Sequence, residues 1–440
     1  MIRARNLGWM AAFSFLVIAI VPSSAMAAEI QRIVSPGGIT AWFVEEKSIP
    51  IISMEVAWRG GSSQDSVDKA GLAHLVASTM DEGAGDLDSR AFQGRLSDLA
   101  ITLGFDASKD TFQGSLKTLS KNRDEAFRLF ALAITDPQFA EEPVERIRSQ
   151  ILINLNRRLS DPNSLAGRAW FQAAFPDHPY SLPTQGTQET VQNITQADLK
   201  AFKERQIARD NMVISVIGDI EATELGVLLD RTFLGIAEKS NLIAIPDVTL
   251  AKQQTVQVIE QDIPQSVVIF GGDGIKREDP DYYAAYVLNY ILGGGGFESR
   301  LTEEIREKRG LVYSVYSYLY PLKASGLQLG GFGTSNASVG QAIELVRAEF
   351  LKIRKDGVTP EELASAKTYL NGSFPLRLSS NSNIANIMVS MQLHDLPAVY
   401  LDQRAGLINA VTLEGVKRVA NRLADPDDLI ITVVGKPEGL

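Results

Sequence analysis

The chain has 440 residues, 45% hydrophobic and 22% charged, with a formal charge of −10 and no cysteine. That length accommodates two to four domains, and the acidic balance repels nucleic acid and anionic membrane, so neither is an expected partner. Without a thiol there is no disulfide framework, no thiol catalysis and no cysteine-based metal site.

At the start, Arg3 and Arg5 precede the apolar stretch Met10–Val21, and Ala25-Met26-Ala27 forms a small-x-small pattern. Residues 1–28 therefore read as a secretory signal peptide, cut after Ala27 or Ala28, and the expected address is the periplasm. The apolar core is short for a membrane span. Removing these residues takes two arginines and no acid, moving the charge from −10 to −12. No later run reaches the roughly 18 apolar residues of a span, so a soluble mature chain is expected.

Ile39–Glu45 and Ile51–Trp58 have the β-branched, apolar character of strands. Helical periodicity covers Asp68–Met80 and Asp88–Ile101, a strand is predicted over Phe105–Lys117, and helices run to about Leu159 and over Gln196–Ile207. Met212–Gly218 closes this half as a buried strand followed by a helix. The order then repeats. Strands are predicted at Thr255–Val258 and Val267–Gly271, helices at Asp281–Leu292 and Ser299–Arg309, and strands at Leu311–Tyr320 and Gly326–Phe332. Helices from Gln341 to about Leu423 precede a last strand, Leu429–Gly435, which mirrors Val213–Gly218. Such duplication predicts an α+β fold of two homologous halves, 29–235 and 255–440, each a mostly antiparallel sheet covered by helices. Residues 236–254 form the linker, a hinge about which the halves face each other as a clamshell.

Three motifs stand out: Gly71-Leu72-Ala73-His74; His178-Pro179-Tyr180 followed by Gly186-Thr187; and Leu292–Arg300 leading into Ile305-Arg306-Glu307-Lys308-Arg309-Gly310-Leu311-Val312-Tyr313-Ser314. Together they make the chain similar to the pitrilysin/insulinase family of zinc peptidases, particularly its short two-domain members related to mitochondrial processing peptidase. The likeness covers nearly the whole mature chain, and the last motif is the most specific.

The resemblance implies a helix bearing His-x-x-Glu-His, with both histidines on one face as zinc ligands and the glutamate as general base. A second glutamate, about 75 residues downstream, would be the third ligand. Here His74 fills the first position, Ala77 replaces the base, Ser78 the second histidine, and Asn154, give or take one residue, the downstream ligand. A structural zinc site is worth roughly 10–16 kcal/mol, on the order of 3–4 per ligand, so losing two protein ligands removes about half. No zinc is expected on this chain. Taken alone, His74 reads as a helix histidine in a cavity wall, and His178 and His394 as structural residues.

The family also implies that Arg306 and Tyr313 project into the cavity and contact a peptide near the bond to be cut. A guanidinium donates to a carbonyl from a fixed fork and a phenol stabilises an oxyanion. From the residues alone, Arg306 paired with Glu303 on a solvated face, and Tyr313 filling a core beside Leu311 and Val315, are the competing readings. Gly293, Gly294, Gly295 and Gly296 lack the Gly-Lys-Ser/Thr ending of a phosphate loop. They are either a tight turn or a flexible lip touching substrate. Trp58, Trp170, Tyr316, Tyr318 and Tyr320 are assigned to core packing, with a cavity lining as the alternative.

The resulting expectation is a non-catalytic, substrate-binding subunit of a periplasmic heterodimeric zinc metallopeptidase that degrades unfolded peptides. The partner would be a homologous subunit with intact His-x-x-Glu-His, and the zinc would be the partner's. The alternative is a peptide-binding or scaffold protein of the same fold with no part in hydrolysis.

Overall fold

A computed structural model describes residues 29–251, 256–438 and 440. The expected signal peptide, residues 1–28, lies outside the described residues. The first half carries strands β1 (Gln31–Val34), β2 (Thr40–Glu45), β3 (Ile51–Arg59), β4 (Thr102–Ala107), β5 (Thr111–Leu119) and β6 (Met212–Gly218). Its helices are α1 (Leu72–Ala77), α2 (Ser89–Asp98), α3 (Arg123–Thr135), α4 (Glu141–Arg158), α5 (Pro162–Ala174), α6 (Gln188–Asn193), α7 (Gln196–Gln206) and α8 (Ala222–Phe233). The second half carries β7 (Gln257–Glu260), β8 (Gln265–Asp273), β9 (Val312–Pro321), β10 (Gly326–Ser335) and β11 (Ile430–Gly435). Its helices are α9 (Tyr282–Asn289), α10 (Val339–Asp356), α11 (Pro360–Gly372), α12 (Asn381–Leu393), α13 (Tyr400–Asn409) and α14 (Leu413–Leu423).

The sheets run β1-β2-β6-β3-β5-β4 and β7-β11-β8-β10-β9. In each, one neighbouring pair is parallel, β2 with β6 and β7 with β11, and the other pairs are antiparallel. Apart from the added edge strand β1, the two sheets share one topology, as the duplication in the sequence requires. The fold is the expected two-halved α+β arrangement.

Four expected elements differ. The strand predicted over Phe105–Lys117 is a hairpin: the Ser108 hydroxyl accepts from Thr111 N–H at 3.1 Å and turns the chain at Ser108–Asp110. The helix predicted over Asp68–Met80 shrinks to α1, because Gly71 takes φ 97° immediately before it. Asp65 caps this short helix, accepting from Gly71 N–H at 3.1 Å and Ala73 N–H at 3.2 Å. The regular helices predicted at Asp281–Leu292 and Ser299–Arg309 become π-helical over Tyr290–Gly294 and Thr302–Glu307.

Each half supplies a helix that covers the other half's sheet. Helix α5, capped by Asp161 on Ser164 N–H at 2.8 Å, buries Ala166, Ala169, Trp170 and Ala174 on β8 and β11. Helix α12 packs on β3 and β6, and its Ala385 and Met388 meet Val44 of β2 and Ile217 of β6. One core cluster therefore spans both halves, joining Trp170, Phe175 and Tyr180 to Leu327, Leu329 and Ile430.

The linker is not a free hinge. The Gln64 amide donates to Ile243 O at 2.9 Å and accepts from Ile243 N–H at 2.8 Å, while Val248 N–H donates to Ala324 O at 2.9 Å and Ala251 N–H to Ala174 O at 3.0 Å. Beside it, the Asp110 carboxylate accepts from the Tyr180 hydroxyl at 2.7 Å and from Lys323 N–H at 2.9 Å, and that hydroxyl accepts from Ala324 N–H at 3.0 Å. The β4–β5 and β9–β10 hairpins are latched together by these bonds.

Candidate functional site

Helix α1 is placed by two glycines. A side chain on Gly71 would strike Gln185 O, and one on Gly186 (φ 75°) would strike Ala70 O. The loop before α6 thus lies flush on the start of α1, and Thr187 in a capping box with Thr190 begins α6. This packing sets His74 in the wall of a cavity of about 830 Å³ between the halves, and also of an adjoining pocket of about 260 Å³ shared with Asn154.

The residues at the expected metal position do not fit a metal. Ala77 is buried and has no donor, and the Ser78 hydroxyl donates to His74 O at 2.8 Å, within its own helix. Asn154 offers an amide, and Leu155 beside it belongs to the core. Burial lowers the His74 pKa, Asp106 opposes that shift, and the Arg158 charge adds to it. The same guanidinium repels a dication. Among the described residues, no group of three or more His, Cys, Asp or Glu is placed to hold a metal ion.

Sequence reasoning missed most of this cavity. Phe171, Tyr318, Tyr320 and Leu329 make its apolar wall. Tyr318 and Tyr320 both face the chamber, which corrects the core assignment of Tyr318, while Tyr320 also packs on the core cluster shared by the halves; the period of two along β9 held the signal. Tyr316, on the same face, is half exposed, while Trp58 and Trp170 are core as expected. Lys109, from the β4–β5 turn, also lines the cavity and donates to Tyr180 O at 2.7 Å and Leu182 O at 3.1 Å. Burial brings its pKa down to about 8, against the opposing charge of Asp110. His178 is structural: Nδ1 accepts from Tyr180 N–H at 3.2 Å, so Nε2 donates to Pro246 O at 3.1 Å. His394 ends α12, where burial lowers its pKa.

Arg306 and Tyr313 come together, away from the cavity lining, at the other end of β9. Arg306 sits late in the π-helical segment that Gly310 ends at φ 62°, with Gly310 N–H donating to Arg306 O at 2.8 Å. Its guanidinium lies 4.5 Å from the Phe297 ring centroid and 5.4 Å from that of Tyr313. The competing core placement of Tyr313 does not hold: it is 86% exposed and Phe297 70%, while Val312 and Val315 point inward. The irregular register of β9 against β10 near Phe332–Thr334 permits this. Glu303 is not the partner of Arg306 but of Lys308, at 3.1 Å, leaving Arg306 a loose contact with Glu307 at 3.6 Å.

The four glycines divide. Gly293 is buried, and a side chain there would strike Ser317 of β9, so its part is close packing rather than contact with substrate. Gly294 and Gly295 crowd Asn289 and Tyr290, and only Gly296 takes positive φ, 59°. Gly296 precedes Phe297 and lets that ring turn onto Arg306.

The insulinase (peptidase family M16) profile matches residues 44–188, and a profile described as the peptidase M16 inactive domain matches residues 193–370. The chain is 28% identical over 393 residues to the non-peptidase homolog YmxG of Helicobacter pylori, covering 89% of this chain and 90% of that one. It is 23% identical over 399 residues to an uncharacterized zinc protease YmxG of Bacillus subtilis, covering 90% and 96%. A crystal structure of a peptidase M16 inactive domain from Pseudomonas fluorescens superposes with a TM-score of 0.86 at 31% identity, over 93% of this chain and 98% of that one. A protease from Helicobacter pylori shares the fold, with a TM-score of 0.83 at 21% identity over 92% and 99% of the chains.

Proposed function

The chain belongs to the insulinase family of peptidases, M16, and keeps only His74 of the metal motif implied for that family, without its base or its other ligands, and from this premise we propose that it is a non-catalytic subunit of a periplasmic zinc peptidase. The partner is a homologous chain carrying His-x-x-Glu-His and the zinc. This chain contributes the peptide-holding chamber and the Arg306–Tyr313 pair, and an unfolded peptide is the substrate. The observation that carries the reading is the exposure of Tyr313 beside a guanidinium held between two rings, at no core-packing advantage. Exposed aromatic groups arranged around an arginine are the composition of an anchor for another chain.

In the joint site, Arg306 would donate to a peptide carbonyl and the Tyr313 hydroxyl to the oxyanion that hydrolysis develops there, while the partner's zinc would supply the activated water. Donors aimed at that charge are worth about 3–4 kcal/mol. The test mixes the purified chain with its His-x-x-Glu-His homologue and follows peptide hydrolysis. Activity should exceed that of the partner alone and collapse with Arg306→Ala plus Tyr313→Phe. No gain on mixing would leave the scaffold alternative.

A further inference from the structure

Around the central cavity the charge runs against that of the whole chain. Lys109, Arg158 and Arg168 line it against the acids Asp106 and Glu189, and Arg157 joins Arg158 in the adjoining pocket, on a chain of net charge −10. Arg158 ends α4 and Arg168 lies within α5, and both are exposed. Among the described residues, neither guanidinium has a hydrogen-bond or ion-pair partner. Many arginines elsewhere are neutralised: Arg300 forks Glu362 at 2.7 Å through two of its nitrogens, Arg146 meets Glu82 at 2.6 Å, and Arg422 meets Asp279 at 2.8 Å, whereas others left without an acid among the described residues, such as Arg90, Arg231 and Arg377, do not line the cavity. Arg157 and Arg158 also complement the carbonyl end of α4, but that role does not account for Arg168 or for Lys109 entering from a different element.

We propose that the chamber selects peptides through a carboxylate, which Arg158 and Arg168 grip with Lys109 nearby, while Phe171, Tyr318 and Tyr320 pack the adjoining apolar groups. A guanidinium fork matches a carboxylate in shape and in donor count. A cavity of about 830 Å³ suits a short extended segment rather than a folded protein. The carboxylate is either an acidic side chain or the free C-terminus. This inference rests on the chamber being the peptide-holding site and does not require that a partner cut the peptide.

The experiment is fluorescence anisotropy on the full chain, without partner, at about 50 mM salt, where charge contrasts are least screened. Three short unfolded peptides share one sequence with Glu, Gln or Lys at the variable positions, each with a free or an amidated C-terminus. The Glu peptide should bind about tenfold or more tightly than the Lys peptide, the effect of one charge-assisted hydrogen bond. The contrast should shrink with added salt and vanish in Arg158→Gln plus Arg168→Gln, two exposed positions whose change leaves circular dichroism and Tm unaltered. If instead the three peptides bind alike and amidation removes the binding, the C-terminal carboxylate is the ligand; if the Glu preference persists on amidation, the side-chain acids are. Equal binding of the three peptides that amidation leaves unchanged, no binding of any, or a carboxylate dependence that survives the double substitution overturns the proposal. Charge-selective binding without partner-dependent hydrolysis would sink the proposed function alone.

Discussion

Trp170 and Gln392 perform the same act in opposite directions. Trp170, on a helix from the first half, donates from Nε1 to Ile430 O of β11 at 3.0 Å, and Gln392, on a helix from the second half, donates from Nε2 to Ile214 O of β6 at 3.0 Å. β6 and β11 are the closing strands of the two halves and hold the same place in the two sheets. The halves are therefore interlocked as well as joined by a linker.

Interlocking predicts that the halves unfold together, in one denaturant transition by far-ultraviolet and tryptophan signals alike. Trp170→Ala, which empties a fully buried site, should cost about 3–5 kcal/mol. Gln392→Ala should cost about 1–3 kcal/mol, because it leaves buried acceptors at Ile214 and Ser215 without a donor. Two well-separated transitions in the unaltered chain would contradict the interlock.

Stability should also fall as pH rises from about 4 to about 7. Glu55 faces α12, in register with Ser215, and burial raises its carboxyl from an ordinary 4.5 to about 7. Between those values the folded chain keeps a proton that the unfolded chain has released, so folding weakens as pH climbs through the window and stays weakened above it. Asp65, raised by burial from 3.8 to about 7, acts with the same sign. Glu55→Gln should flatten its share, about 1–3 kcal/mol, in denaturation curves taken from pH 5 to pH 8. A variant with the unaltered pH slope would rule Glu55 out as a contributor.

Phe297 should matter to Arg306 and to little else. Because it is 70% exposed, Phe297→Ala should leave stability within about 0.5 kcal/mol. Partner-dependent hydrolysis should nevertheless drop about tenfold, since a guanidinium freed from its ring pays rotamer entropy on each binding event. Phe297→Leu should not restore it, whereas Phe297→Tyr should. Equal rates for all three variants would remove Phe297 from the site.

Zinc should not stay with the isolated chain. After incubation with excess zinc and desalting, elemental analysis should find only traces, unchanged by His74→Ala. Stoichiometric zinc that disappears with His74→Ala would reverse the account of the metal position.

Much of the fold was legible because the two sheets repeat one pattern: Met212–Gly218 and Ile430–Gly435 announce themselves as buried closing strands. The β4–β5 hairpin was not, since its apolar alternation runs through the turn and only Ser108 and Asp110 mark it. Helix α5 escaped too, because its buried face answers to a sheet more than 90 residues further on, a relationship no local period encodes. At the site, the absent zinc ligands were readable from residue types alone. The chamber was not: Lys109, Arg158 and Arg168 come from three elements, and each looks like an ordinary surface cation until the fold brings them to one wall.

The late position of α12 bears on how the protein is made. β3 and β6 are complete once Gly218 has been synthesised, yet the helix that roofs them ends only at Leu393. At about 5–20 residues per second, the ribosome needs roughly ten to thirty seconds to supply it. Throughout that interval the face with Val44, Ile217, Ser53, Glu55 and Ser215 lies uncovered, and a version truncated before Asn381 would present it permanently. Stop codons in that region should therefore yield insoluble aggregates rather than a working amino-terminal fragment.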